Sequence, residues 1–173
     1  LKKNNFYKSY FLNKIKNLPL LDAKIAFSKD NFTINKQKKW ITNSRSRKVG
    51  HLLRSRYDCI ISTSKSINQD NSLLNCRIQG LNNNKPDLII IDRNLILKKN
   101  LKLLKISNKR KTYIFTSKKD KKKIAFFKKR KVKIIYINKL NEKSDFFNLL
   151  KRIFKLGKRR ILVETGLSFL NKL

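Results

Sequence analysis

Pro86 precedes Leu88, Ile89, Ile90 and Ile91, a continuous and mostly β-branched run that stops at Asp92. A run this short and this apolar suits a strand covered on both faces, the usual state of strands in a parallel sheet. Thr112–Thr116 and residues 132–137 repeat the pattern, and Cys59–Thr63 and residues 161–163 are shorter versions of it. Helical segments lie between them. Residues 44–56 carry Val49, Leu52 and Leu53 at helical spacing behind the N-cap candidates Thr42, Asn43 and Ser44. Residues 118–130 form a strongly basic helix with Ile124, Phe126 and Phe127 as its apolar positions, and residues 146–156 an amphipathic one that ends at Gly157. Strands alternating with helices predict an α/β domain: a central, mainly parallel sheet flanked by helices. Residues 20–27 read as a further strand, broken by Lys29, Asp30 and Asn31. Residues 1–21 read as an irregular, basic lead-in. Residues 35–39 and 64–71 read as polar loops, 73–78 as short and mixed, and 80–85 as a loop tip rich in Asn.

A length of 173 residues suits one domain with a real core, and an apolar content of 40% excludes a disordered chain. The charge is the anomaly: 45 Lys and Arg stand against 10 Asp and Glu, a net +35. One reading is a polyanion partner, nucleic acid or an anionic membrane. The other is compositional. Lys, Asn and Ile dominate while Gly and Pro are scarce, as AT-rich codons dictate, so the charge can equally be a solvated surface.

Cys59 and Cys76 have no metal-site spacing and read as small apolar residues of a reducing, cytoplasmic compartment. His51 is the only histidine, which excludes chemistry that needs several imidazoles. No apolar run is long enough to span a membrane, and no signal peptide is visible. A chain that starts at Leu1 and has no Met reads as a fragment cut at both ends.

Residues 161–166, IleLeuValGluThrGly, concentrate the site signals. Glu164, one of only two glutamates, ends a strand and is followed by a Thr-Gly turn and the apolar residues 167–170. Glycine there would let the backbone approach a ligand closely, and a helix N-terminus would favour an anion. Ligands of parallel sheets bind beyond the carboxyl ends of the strands, so Asp70, Asp92 and Glu164 are expected on one rim.

Several stretches also fall in the order of one family: LysIleAlaPheSerLysAsp (24–30), TrpIleThr (40–42), HisLeuLeuArgSer (51–55), SerIleAsnGlnAspAsnSerLeuLeuAsnCysArg (66–77), IleIleIleAspArgAsnLeu (89–95), TyrIlePheThr (113–116) and LeuValGluThrGly (162–166). The set resembles the reductase domain of the bifunctional riboflavin-biosynthesis deaminase/reductase. The resemblance implies a dihydrofolate-reductase-like fold over residues 20–173 with its C-terminal strands missing. Residues 1–19 would be the linker from an upstream deaminase half. It implies NADPH-dependent reduction of 5-amino-6-(5-phosphoribosylamino)uracil to the ribitylamino product, with hydride delivered to C1′, and a homodimer. The zinc motifs of the deaminase half are absent from this sequence, so no metal is expected.

Carried over residue by residue, the resemblance places Arg54, Leu74, Arg77, Glu164 and Lys38 at substrate-binding positions. Arginine forks suit a ribose phosphate, and Glu164 suits pyrimidine N–H donors. Lys38 stands where the family has a substrate-contacting Ser. On the cofactor side the matches are Ala26, Trp40, Ser66, Asp70, Arg93, Gly166, Leu167 and Ser168. Some have a plainer reading too: Arg54 and Arg77 as solvated arginines, Trp40 as a core anchor, Asp70 as a turn aspartate and Glu164 as a surface acid at a strand end. Asn31 stands where the family usually has Gly after Asp30, and Asn tolerates the left-handed geometry of such a turn. No residue is singled out as proton donor. A second function, a basic nucleic-acid-binding module such as a ribosome-associated protein, rests on the charge and the basic aromatic segments 1–11 and 118–130.

Overall fold

A computed structural model of the chain describes residues 7–33, 41–81, 86–138 and 140–173. Six strands form one sheet: β1 (Leu20–Ala23), β2 (Cys59–Thr63), β3 (Asp87–Ile91), β4 (Thr112–Thr116), β5 (Val132–Tyr136) and β6 (Arg160–Val163). Their order is β1-β6-β2-β3-β4-β5, and every pairing is parallel. The expectation of a mainly parallel sheet therefore resolves to a wholly parallel one among the described residues.

Among the described residues seven α-helices accompany it: α1 (Lys8–Ile15), α2 (Ser44–Ser55), α3 (Ser64–Asp70), α4 (Lys102–Lys105), α5 (Lys121–Lys129), α6 (Lys143–Lys155) and α7 (Leu167–Leu170). The apolar strands alternate sides and feed two cores. Ile60, Leu88, Ile90 and Ile114 meet Ile67 of α3, Leu103 and Leu104 of α4, and Ile124 and Phe127 of α5. Ile61, Ile89, Phe115 and Ile161 meet Phe146, Leu149 and Ile153 of α6, with Phe169 and Leu170 of α7 against them. The chain steps outward from β2 to β5 on the first face. It then returns along α6 on the second face to insert β6 between β1 and β2. The strand order reverses there, and a crevice opens beyond the strand ends at such a reversal.

Local chemistry sets the helix starts. Asn43 Oδ1 accepts the amide of Ser46 at 2.8 Å, and Asp120 Oδ1 that of Lys123 at 2.9 Å. Glu142 and Asp145 form a reciprocal capping box on α6. Gly157 ends α6 with φ +84°, the left-handed position expected of it. Asn31 has φ +65°, so the turn accepts Asn.

Three expectations are corrected. The strand from residue 20 is only four residues long, because after Lys24 donates its amide to Val163 the chain leaves the sheet. Residues 64–71 are not a loop: Thr63 caps Ser66, Ile67 is fully buried, and α3 runs to Asp70 before Asn71 turns left-handed. The lead-in contains α1, a helix with no buried residue.

Candidate functional site

Glu164 leaves the carboxyl end of β6, its amide bonded to the carbonyl of Ile61 on β2 at 2.9 Å. Its carbonyl accepts the hydroxyl of Ser62 at 2.7 Å, which fixes the backbone at the point where the strand order reverses. From α2, Arg54 reaches over and grips the Glu164 carboxylate with two bonds, Nε to Oε1 at 2.6 Å and Nη2 to Oε2 at 2.8 Å. The side chains are only 15% and 10% exposed, so the pair is shielded from solvent screening. The remaining arm of Arg54, Nη1, donates to the carbonyl of Asn75 at 3.2 Å.

Asn75 is the hub of the cluster. Its carbonyl is also 2.9 Å from His51 Nδ1, and its side-chain Oδ1 accepts Arg77 Nη1 at 2.8 Å. A carbonyl only accepts, so Nδ1 of His51 carries the proton. The 3.4 Å approach of Arg54 Nη1 to that nitrogen is then a contact between two donors, not a hydrogen bond. Burial holds the His51 imidazole below its ordinary pKa of 6.5, and the cations of Arg77 and Arg54 push it down further. Asn75 and Glu164 pull weakly the other way. His51 is therefore neutral at pH 7, with Nε2 as its acceptor.

Linkage fixes the sign of a prediction. A histidine whose folded pKa is depressed contributes stability above its unfolded pKa and loses it as pH falls through that value. The thermal midpoint is expected to drop as pH falls below about 6.5, the ordinary imidazole value, and less steeply in His51→Gln. Equal slopes in the two proteins would remove His51 from this role.

A buried cation holds the segment that carries Asn75. Arg110 is 9% exposed, and its guanidinium donates to the carbonyls of Leu73 at 2.6 Å and Pro86 at 3.3 Å, and to that of Leu74. Leu74 takes φ +48° to turn its carbonyl that way, and its side chain is buried. The carbonyl of Leu74, a residue expected at a substrate-binding position, is thus engaged internally. Desolvation pushes the Arg110 pKa down to about 10, and Arg54 adds to the effect.

The other candidates are spread along the rim. Ala26 lies half-buried in the stretch after β1. Ser66 sits in the first turn of α3, its hydroxyl 3.0 Å from that of Thr63. Asp70 ends α3 and does not enter the Asn75 network. Burial nonetheless raises its pKa. Arg93 follows β3 and donates to Asn141 Oδ1 at 2.8 Å. Asp92 is not a rim acid. It is 1% exposed, and its two oxygens accept the amides of Ile96 at 2.8 Å and Leu97 at 2.9 Å, closing its own turn. Lys38 and Trp40 lie outside the described residues.

Gly166 is the N-cap of α7, with φ −70° and ψ 160°, a conformation open to any residue. The glycine is thus not required by the turn. What its missing side chain leaves is space: no atom lies within 4 Å of where a Cβ would stand. No side chain caps α7, and Leu167 and Ser168 are exposed beside that opening. Uncapped amides facing open space suit an anionic group of a cofactor.

Among the described residues no group of His, Cys, Asp or Glu could hold a metal ion, and no helix is long and apolar enough to cross a membrane. Both cysteines are free and buried.

A family model described as the RibD C-terminal domain matches residues 20–173. The chain belongs to the RibD C-terminal domain family. Solved structures agree on the fold. Acinetobacter baumannii RibD superposes with a TM-score of 0.77 at 19% identity, over 95% of this chain and 44% of that one. The Thermotoga maritima diaminohydroxyphosphoribosylaminopyrimidine deaminase/5-amino-6-(5-phosphoribosylamino)uracil reductase gives 0.70 at 19% identity, over 92% of this chain and 42% of that one. The Saccharomyces cerevisiae riboflavin biosynthesis reductase Rib7 gives 0.67 at 19% identity, over 97% and 74%. The chain thus spans less than half the length of the first two. No match is found among curated proteins. The RibD C-terminal domain here has the dihydrofolate-reductase-like fold of these neighbours.

Of the cluster now visible, His51 and Asn75 were not among the candidates from the sequence. His51 stands three residues before Arg54 on α2, so the two share a helix face, a signal that was available. Asn75 lies in a segment with no periodicity and left no such signal.

Proposed function

We propose that this chain is a riboflavin-pathway reductase: with NADPH it reduces 5-amino-6-(5-phosphoribosylamino)uracil to the ribitylamino compound. The observation that carries the reading is the Glu164–Arg54–Asn75–Arg77 cluster at the strand-order reversal of a RibD C-terminal domain.

Each carboxylate oxygen of Glu164 takes one bond from Arg54 and retains acceptor capacity for pyrimidine N–H groups. The internal use of the Arg54 fork shifts the anchoring of the substrate phosphate toward Arg77, which is exposed and held by only one bond to Asn75. Arg54 then acts chiefly by orienting Glu164, and Lys38 joins it as a further phosphate contact. On the opposite side, the uncapped amides of Leu167 and Ser168 and the open space at Gly166 would hold the diphosphate. Ala26, Trp40, Ser66 and Asp70 would line the rest of the cofactor site, with Arg93 toward the second phosphate. Bound there, the nicotinamide supplies a hydride. The residues of the chain work by positioning, holding C1′ at attack distance from the hydride donor. A homodimer is part of the same proposal.

The test is nicotinamide oxidation with the deaminated phosphoribosylamino-uracil as the only variable. Substrate-dependent oxidation is expected with NADPH. In Arg77→Ala, KM should rise about ten-fold with kcat little changed, because a phosphate grip is used equally in ground and transition states. A folded protein that oxidises no NADPH in the presence of substrate would refute the proposal.

A further inference from the structure

Far from this site, the sheet ends at β5, and the groove between β5 and α5 is unlike the rest of the surface. Three strands separate β5 from β6, so the groove is roughly 19 Å across the sheet from the strand that carries Glu164. Residues 117–136 hold ten lysines and arginines against the single Asp120, nine net charges in twenty residues, whereas the whole chain has 35 in 173. The charge density there is about twice the chain average.

The structure aligns that charge. Asp120, the one acid in this stretch, is engaged as the cap of α5 and offsets a single charge. Lys123 is drawn to the carbonyl of Leu95, and Arg130 stacks on Phe126 at 3.7 Å. The other eight cations are all exposed lysines. Lys119, Lys121 and Lys128 line a concavity of about 400 Å³ floored by Ile124 and Ala125. Tyr136 also lines it, 45% exposed as a residue, and its backbone carbonyl accepts a bond from Arg152 at 2.6 Å. Lys133 on the edge strand has a plainer duty, since an edge lysine blocks strand pairing between molecules. The lysines of α5 are not on that edge.

We infer that the α5–β5 groove binds single-stranded nucleic acid, its lysines following the phosphates and Tyr136 stacking on a base. A cationic groove with an exposed aromatic wall is how sequence-tolerant single-strand binders work, because every base has a flat face. An anionic membrane could use the same lysines and the same ring, but a lipid surface is flat, whereas these side chains line a concavity that a single strand can enter. The inference is independent of the reductase reading, since it needs neither cofactor nor substrate.

The test is fluorescence anisotropy of a labelled oligouridylate of about twelve nucleotides, with a duplex of equal length and phosphatidylserine vesicles as competitors. Lys119, Lys121 and Lys128 are changed together to Glu. In a control of the same net charge, Lys143, Lys151 and Lys155 of α6, on the opposite face of the sheet, are changed instead. The groove variant is expected to lose affinity at least ten-fold and the control less than about three-fold. The log–log salt slope should shrink by roughly two, at about 0.7 per phosphate contact on single strands. Tyr136→Ala should weaken binding about five-fold or more, while Tyr136→Phe keeps it. Circular dichroism melts confirm that each variant is folded. Equal losses in the two triple variants would overturn the inference, as would no binding at low salt or a preference for duplex or vesicles.

Discussion

Glu164→Ala is expected to lower kcat/KM for the phosphoribosylamino-uracil by about a hundred-fold or more, and to cost roughly 2–3 kcal/mol of stability as well. Both effects come from one geometry. The carboxylate accepts both bonds of a fork that is largely out of water, so removing it strands the Arg54 cation with only the Asn75 carbonyl as partner. Breaking a shielded pair from one side costs more than the pair itself contributes. The freed guanidinium would then swing, and with it the surface proposed to orient the pyrimidine. Glu164→Gln separates the two roles. It keeps the volume and one acceptor, so most stability should return. The rate should not, because an amide N–H now faces a donor. Kinetics paired with thermal unfolding read both. A Glu164→Ala protein with unchanged kcat/KM would remove Glu164 from the substrate site.

Arg110→Ala is expected to destabilise the fold by about 2–4 kcal/mol. The cation itself is an electrostatic burden, as its lowered pKa records. What it supplies is satisfaction: the carbonyls of Leu73, Leu74 and Pro86 point at one guanidinium, and without it they lose their partner in or near the core. Unmet buried acceptors outweigh the relief of removing a charge. Arg110→Lys should recover only part of the loss, because an ammonium is a point donor and cannot span a fork's three partners. Since the same segment carries Asn75 and Arg77, both variants should also raise KM. Urea unfolding measures the first effect and steady-state rates the second. Full stability in Arg110→Ala would mean the segment is held by other contacts.

How much of this was legible in the sequence depended on how the signal was carried. Strands β2 to β6 were legible because short, mostly apolar and β-branched runs bounded by polar residues leave little choice. Helix α3 was missed because its only buried apolar residue is Ile67, too few for a period, while the hydroxyl of Thr63 does the nucleating. Glu164 was found from its place after a strand. Asp92 stands in the same kind of place and was misread, although AspArgAsnLeu is a turn sequence whose first residue commonly caps its own backbone. Asn75 was out of reach. Its position follows from the left-handed Leu74 and from Arg110, thirty-five residues further on, and no local pattern encodes such a meeting.

The carboxylates described above have one further consequence. Of the ten in the chain, eight accept a specific bond or ion pair: Asp22 from Tyr57, Asp58 from the amides of Arg159 and Arg160, Asp87 from Lys158, and Asp92, Asp120, Glu142, Asp145 and Glu164 as already given. Negative charge in this protein is thus almost wholly architectural. Removing these acids would strike the helix caps, the turn after β3 and the Arg54 cluster together, and would leave the mutual repulsion of 45 cations less opposed. Dissolved salt, by damping that repulsion, should act on the molecule much as a stabilising ligand would.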